Sequence, residues 1–429
     1  MIMAMMKSSN TEWLGDIPAE WDVAQIGNYY ELRNEKVSDY DFEPLSVTMK
    51  GIVPQLATAA KSDDHSNRKL VKKGDFVINS RSDRRGSCGI SPLNGSVSLI
   101  NIVMEPRGEM NPQYYNWLFH TEQFADEFYK WGHGIVDDLW TTRWQEMKKI
   151  LIVAPSPDEQ QAIADYLDET CSKIDEIIAE AKASIDEYKE LKQAVIFDGI
   201  SLGTRKCCDY KRTTLKGIEK IPIEWEYRKL KFLIRYIESG VSANAGNEPA
   251  TELEYGVLKT SCVSKMIFLP SENKSVNKDE YDRVKCPVCG DTIIVSRMNT
   301  PDLVGACAYI EKNIDNIFLP DRLWQVHFND NVNVKYIYYC LISPYIRNYY
   351  SSLSTGTSSS MQNISQGQFT NAIIPYPPLE EQKEIVDFLD KRTKEIDSLI
   401  AEKQSLIADL EAYKKSLIYE VVTGKRRVV

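Results

Sequence analysis

Residues 154–199 read APSPDEQQAIADYLDETCSKIDEIIAEAKASIDEYKELKQAVIFDG, and residues 376–421 read YPPLEEQKEIVDFLDKRTKEIDSLIAEKQSLIADLEAYKKSLIYEV. Aligning Gln160 with Gln382 sets an offset of 222 (382 − 160). Without a gap it then pairs Leu167 with Leu389, Asp168 with Asp390, Ile174 with Ile396, Asp175 with Asp397, Ile178 with Ile400 and Ile185 with Ile407. Solenoid units run to tens of residues, so this period means a duplicated globular-domain-plus-helix unit.

Each copy has the pattern of a long helix. Pro157 precedes Asp158 and Glu159, and Pro378 precedes Leu379, Glu380 and Glu381. Proline suits the first helical turn, and acids there oppose the helix dipole. Apolar residues recur every seven positions at Leu167, Ile174, Ala181, Tyr188 and Val195, with a second line at Cys171, Ile178 and Ile185. The other copy gives Leu389, Ile396, Leu410 and Leu417, with Ile400 and Ile407 on its second line. Heptads kept up this long predict a coiled coil between the copies rather than two helices each packed on its own domain. Lys192, Lys403 and Lys414 interrupt that seam. Helices of about 40 residues would run ~60 Å, and two equivalent units would pair them antiparallel.

Working outward, the regions before the helices are related more faintly. Ile17-Pro18-Ala19-Glu20-Trp21 matches Ile221-Pro222-Ile223-Glu224-Trp225, and Gly74-Asp75 to Ser80-Arg81 parallels Gly290-Asp291 to Ser296-Arg297. The latter are apolar, strand-like runs ending in Ser-Arg. The expected class is α+β: two tandem target-recognition domains separated by two long helices in an antiparallel coiled coil, as a pseudo-two-fold internal repeat. The divisions fall at 1–155, 156–203, 204–376 and 377–429.

Composition restricts the setting. A chain of 429 residues exceeds what one core usually serves. No apolar run approaches the ~18–20 residues of a membrane span. Nine cysteines without a framework spacing fit a reducing cytoplasm. The net charge of −10 opposes nucleic-acid binding on average, although local patches decide it.

The arrangement resembles the specificity subunit of a type I restriction-modification enzyme. The residues that carry it are Trp13 to Trp21, Ile221-Pro222 to Trp225, the P-x-x-x-E-Q starts at Pro155 to Gln160 and Pro377 to Gln382, and Val422-Thr423-Gly424-Lys425. Lys216-Gly217-Ile218-Glu219 departs from the pattern of Trp13-Leu14-Gly15-Asp16. The resemblance implies a non-catalytic subunit acting in phage defence, in which each domain reads one half of a bipartite site in double-stranded DNA. It implies a helical spacer that fixes half-site separation and docks two methylation subunits, with two restriction subunits in the full complex. S-adenosylmethionine, ATP and Mg would belong to those partners, with no cofactor in this chain.

Candidate DNA contacts follow from chemistry. Residues 68–85 hold Arg68, Lys69, Lys72, Lys73, Arg81, Arg84 and Arg85 against Asp75 and Asp83. Such clustering neutralises phosphates, and guanidinium groups read guanine edges. A solvated basic face is the plain alternative. In the second domain Arg297, Asn299 and Thr300 hold the equivalent strand end, where a simple turn would serve as well. Thr357, Ser359, Gln362 and Asn363 lie in a Ser/Thr-rich stretch that resembles a DNA-adjacent segment of the family, or a plain surface loop. Its counterpart offers Thr142 and Arg143 among tryptophans, which at this spacing are usually core.

Other motifs are incomplete. Cys286-Pro287-Val288-Cys289 has the spacing of half a zinc site, but no second pair follows, so no metal is expected. Asn111-Pro112-Gln113-Tyr114 reads as a helix cap with proline at the first position. There is no Walker loop, and the four histidines are scattered, so no catalytic residue is assigned. The rival readings are a coiled-coil scaffold without sequence-specific DNA reading, a solitary enzyme, and a subunit of a methylation-only complex.

Overall fold

The computed structural model describes residues 5–58, 65–134, 140–204, 209–358 and 361–428. The chain forms two compact units, Met1–Lys182 with Gln404–Val429, and Ala183–Lys403. Each therefore contains about half of each long helix, the first being Pro157–Leu202 and the second Leu379–Val422.

In the first unit an antiparallel sheet runs Tyr30–Leu32, Asn101–Pro106, Phe76–Asn79, Cys88–Ile90. The FVIN strand is buried at all four positions because both sheet faces are covered. Phe76 and Ile78 join a core with Trp21, Tyr30, Tyr115 and Phe119. Val77 and Val103 face the other way, against Leu45, Ile52, Val71 and Val97. The second unit has the same order, Ile234–Glu238, Leu323–Phe328, Thr292–Ser296, Cys307–Ile310. There Ile293 and Val295 join one core and Ile294 the other.

A strand pair delivers the chain to each long helix: Asp22–Gln25 with Leu151–Ala154 in one unit, Glu226–Lys229 with Ile373–Tyr376 in the other. The E-Q of each helix start then closes the local structure. Glu159 accepts the Trp21 indole N–H at 3.2 Å, and Glu381 that of Trp225 at 3.0 Å. Gln160 donates to the Pro155 carbonyl at 2.9 Å and accepts from the Asn111 N–H at 2.7 Å. Gln382 does the same with Pro377 at 2.9 Å and Asn333 at 3.0 Å. Asn111 in turn caps the helix Pro112–Phe119, with proline at its start as expected.

Along the helices, Leu167, Ile174, Ile178, Ile185, Leu389 and Ile396 are buried, whereas Ile400, Ile407 and Leu410 are half-buried. In the first unit Lys414 Nζ meets Asp175 at 2.6 Å, and Lys182 meets Glu411 at 3.8 Å. In the second, Lys192 meets Asp397 at 2.7 Å, and Gly199 lies so close to Leu389 that an added Cβ would sit 2.9 Å from its side chain. As the number rises along one helix it falls along the other, so within each unit the two segments run in opposite directions. Lys192 and Lys414 thus interrupt an apolar line but face aspartates.

Candidate nucleic-acid interface

In the first unit Arg81 follows the strand Phe76–Asn79 and is held by its backbone. Its N–H donates to Asn79 Oδ1 at 3.0 Å, and its carbonyl accepts from the Tyr129 hydroxyl at 2.8 Å. Arg81 also forms a β-bridge with Thr141, which bridges His133 in turn. A stretch some 60 residues away in sequence is thereby laid beside the Ser-Arg strand end. Lys69, Arg81, Thr141, Arg143 and Trp144 then line one cleft of about 310 Å³.

Arg84 and Arg85 are exposed on the following turn. They line a cleft of about 800 Å³ with Asn79, Gln55 and the strand Leu45–Thr48. Asp83 lies 3.7 Å from Arg84, and Asp126 pairs with Arg85, so neither charge is wholly uncompensated.

The basic run does not act as one patch. Arg68 is buried, donating to Ser96 Oγ at 2.8 Å, and Lys69 donates to the Asn101 carbonyl at 2.6 Å. Burial pushes both their pKa values down, since a charged group loses its water there. Lys72 and Lys73 are exposed, but at the far end of the strand from Arg81. Four residues at ~3.3 Å each separate the two ends by more than about 13 Å. Thr142 is fully buried, with its hydroxyl donated to the Phe128 carbonyl at 2.7 Å, so this candidate serves the interior.

The second unit repeats the arrangement. Met298–Asn299 pairs with Met361–Asn363, which pairs with Thr355–Ser358, in a three-stranded antiparallel sheet. Asn299 lies opposite Gln362, and Arg297 accepts the Ile364 N–H at its carbonyl at 3.1 Å. Thr300 is exposed at the strand end, its N–H bonded to Asn299 Oδ1 at 2.9 Å. Arg297 Nε and Asn363 Oδ1 are buried, with no hydrogen-bond partner among the described residues. Buried polar atoms are seldom left so without reason, since each unmet group costs about 1–3 kcal/mol. Thr357 is described in its backbone alone, and Ser359 lies outside the described residues.

Arg297, Asn299, Thr300, Gln362 and Asn363 therefore converge, as do Arg81 and Arg143. Thr141, a candidate in the tryptophan-flanked stretch, stands at the 222 offset from Asn363, and each lies beside the Ser-Arg strand end of its unit. The chemistry on offer is cation and amide donors, in the first unit beside open clefts, suited to phosphates and base edges.

The family model for the type I restriction modification DNA specificity domain matches residues 222–408. A type I restriction enzyme specificity subunit from Escherichia coli, EcoEI, is 28% identical over 188 residues, covering 43% of this chain and 32% of that protein. The chain thus spans about a third of that relative. The MjaVIII specificity subunit of Methanocaldococcus jannaschii is 26% identical across 100% of this chain and 98% of its own length. Residues 222–408 thus resemble the DNA specificity domain of type I restriction-modification systems, and the chain as a whole is similar to their specificity subunits.

The likeness extends to the fold. A chain from a structure concerned with complex assembly and conformational transition of the type I R-M system superposes with a TM-score of 0.70. It is 14% identical and covers 96% of this chain and 99% of its own. A specificity subunit is the non-catalytic component of such a system, in keeping with donor groups gathered at clefts. Among the described residues no helix is long and apolar enough to cross a membrane.

Proposed function

We propose that this subunit reads a bipartite site in duplex DNA, one half-site by each globular unit, for partners that carry out the chemistry. Arg81 and Arg143 serve the first half-site, with Arg84 and Arg85 on the adjoining cleft. Arg297, Asn299, Thr300, Gln362 and Asn363 serve the second, joined by Thr357 and Ser359. Lys72 and Lys73 contact phosphates at most, being distant from the strand end. The observation that carries this reading is the backbone pairing in each unit, isolated bridges in the first and a three-stranded sheet in the second, which sets the Ser-Arg strand end beside a second polar segment.

In the same reading the domains divide as 1–155, 156–203, 204–376 and 377–429, and the long helices pair as an antiparallel coiled coil. The two cross-helix ion pairs support an internal pseudo-two-fold repeat, because Lys192 and Asp397 correspond at the 222 offset to Lys414 and Asp175. Helices paired this way fix the separation of the readers, and half-site spacing is then a geometric consequence. They also offer equivalent docking faces to two methylation subunits, with two restriction subunits joining the full complex in the cytoplasm. S-adenosylmethionine, ATP and Mg would act in those partners.

The test is to express the chain with its methylation partner and map methylated adenines across a genome. A gapped two-part sequence at every modified position is expected. Methylation without sequence preference, or none that depends on this chain, would return it to a scaffold.

A further inference from the structure

The second unit gathers Glu238, Cys289 and His327, whose ligand atoms all lie within 4.8 Å of one another. They come from three separate elements. Glu238 ends the strand Ile234–Glu238, His327 lies on its neighbour Leu323–Phe328, and Cys289 directly follows the short strand Pro287–Val288. Gln325 fastens them together from within the core. It is fully buried, accepts the Cys289 N–H at 2.8 Å, and donates to Glu238 Oε1 and to the Pro287 carbonyl, each at 3.0 Å. Tyr236 stacks on the His327 ring at 4.2 Å, fixing its plane.

The first unit meets the same structural need differently. Glu105 corresponds to His327 at the 222 offset, and Arg33, just beyond the strand Tyr30–Leu32, occupies the place of Glu238. There Arg33 bonds Asp75 and Glu105, each at 2.6 Å, and so ties the turn before the Phe76–Asn79 strand to the sheet with a cation. In the second unit no arginine stands at that place. A carboxylate, an imidazole and a thiol face one another instead.

We propose that Glu238, Cys289 and His327 bind a divalent transition metal of the zinc class, which takes over the tying role of Arg33. The donor set is one that zinc favours, mixing sulfur, nitrogen and oxygen. Tetrahedral ligands at the usual bond lengths stand about 3.3–3.8 Å apart. His327 Nε2 is 2.7 Å from Glu238 Oε1, a hydrogen-bond distance. That pair opens by roughly 0.6 Å or more as the ion replaces the proton between them. The thiol proton of Cys289 leaves to solvent as the thiolate binds. Gln325 and Tyr236 act as the outer groups that orient the ligands.

The alternative is a plain His–Glu hydrogen bond beside an unconnected cysteine, and the cysteine separates the two. The purified full chain is equilibrated with zinc, freed of excess by gel filtration, and assayed for metal per chain. About one zinc per chain is expected, with Cys289→Ser and His327→Gln each losing tenfold or more in affinity. Glu238→Gln keeps the side-chain shape and guards against misfolding; it too should retain less metal, with an unchanged circular dichroism spectrum. Cobalt loading should give visible bands of thiolate-bound, four-coordinate cobalt that vanish in Cys289→Ser. A chain that retains no zinc, or one whose retention or cobalt spectrum is indifferent to Cys289, would overturn the proposal. None of these readouts depends on DNA recognition.

Discussion

At the residue scale, Gln160 and Gln382 explain why the helix starts carry the same two letters. Each amide is buried and joins the end of a strand to the cap of another helix, so its loss strands a backbone N–H and a carbonyl. Gln160→Ala should therefore cost about 1–3 kcal/mol of stability, read by chemical denaturation, and Gln382→Ala a similar amount. The strand-end arginines should behave oppositely. Arg81→Ala and Arg297→Ala should leave the melting temperature nearly unchanged yet weaken binding by the assembled complex, each at its own half-site. The loss should be about 1–3 kcal/mol if the guanidinium reads a base. Equal weakening on random DNA would mark phosphate contacts instead. The repeated motif was legible in the sequence, whereas its reason was not, because each glutamine lies 49 residues from the asparagine N–H that it accepts. Arg68 shows the converse: it counts as part of a basic run by composition, but hydrogen bonds to Ser96 turn it inward. Nor could spacing alone connect Cys289 with Glu238 and His327, since sheet pairing is what unites them.

At the scale of the element, the long helices were the clearest signal, because a seven-residue repeat survives whatever the loops do. What the repeat could not reveal was how its lysines are accommodated. Lys414 and Lys192 lie along the seam with about a quarter of each side chain exposed, and each reaches an aspartate on the other helix. Half-exposed pairs of this kind contribute little, since solvent screens the attraction and ordering two long side chains opposes it. A double-mutant cycle on Lys414→Ala and Asp175→Ala should give a coupling below about 1 kcal/mol in denaturation experiments. Ile174→Ala, which removes buried apolar contact, should cost about 2–5 kcal/mol. A coupling larger than the cost of Ile174→Ala would mean that the ion pairs, not the apolar line, hold the helices.

At the scale of the whole molecule, a net charge of −10 sits awkwardly with DNA binding. Many acidic residues lie on the two long helices, away from the clefts that hold the arginines. The isolated chain should bind DNA weakly and with a shallow salt dependence, because few phosphates are neutralised. Affinity should rise once partners contribute their own contacts. Specificity, in contrast, should divide along the chain. Exchanging residues 1–155 for those of a subunit with another target should change one half of the recognised sequence and leave the other half and the gap intact. Inserting one heptad at matching positions in both helices keeps the seam in register. It adds ~10 Å of helix, so the gap should grow by about three base pairs at roughly 3.4 Å each while both half-sites stay the same. Mapping methylated adenines reads both experiments. A heptad insertion that altered a half-site, or an exchange that altered the gap, would show that reading and spacing are not separate properties of separate elements.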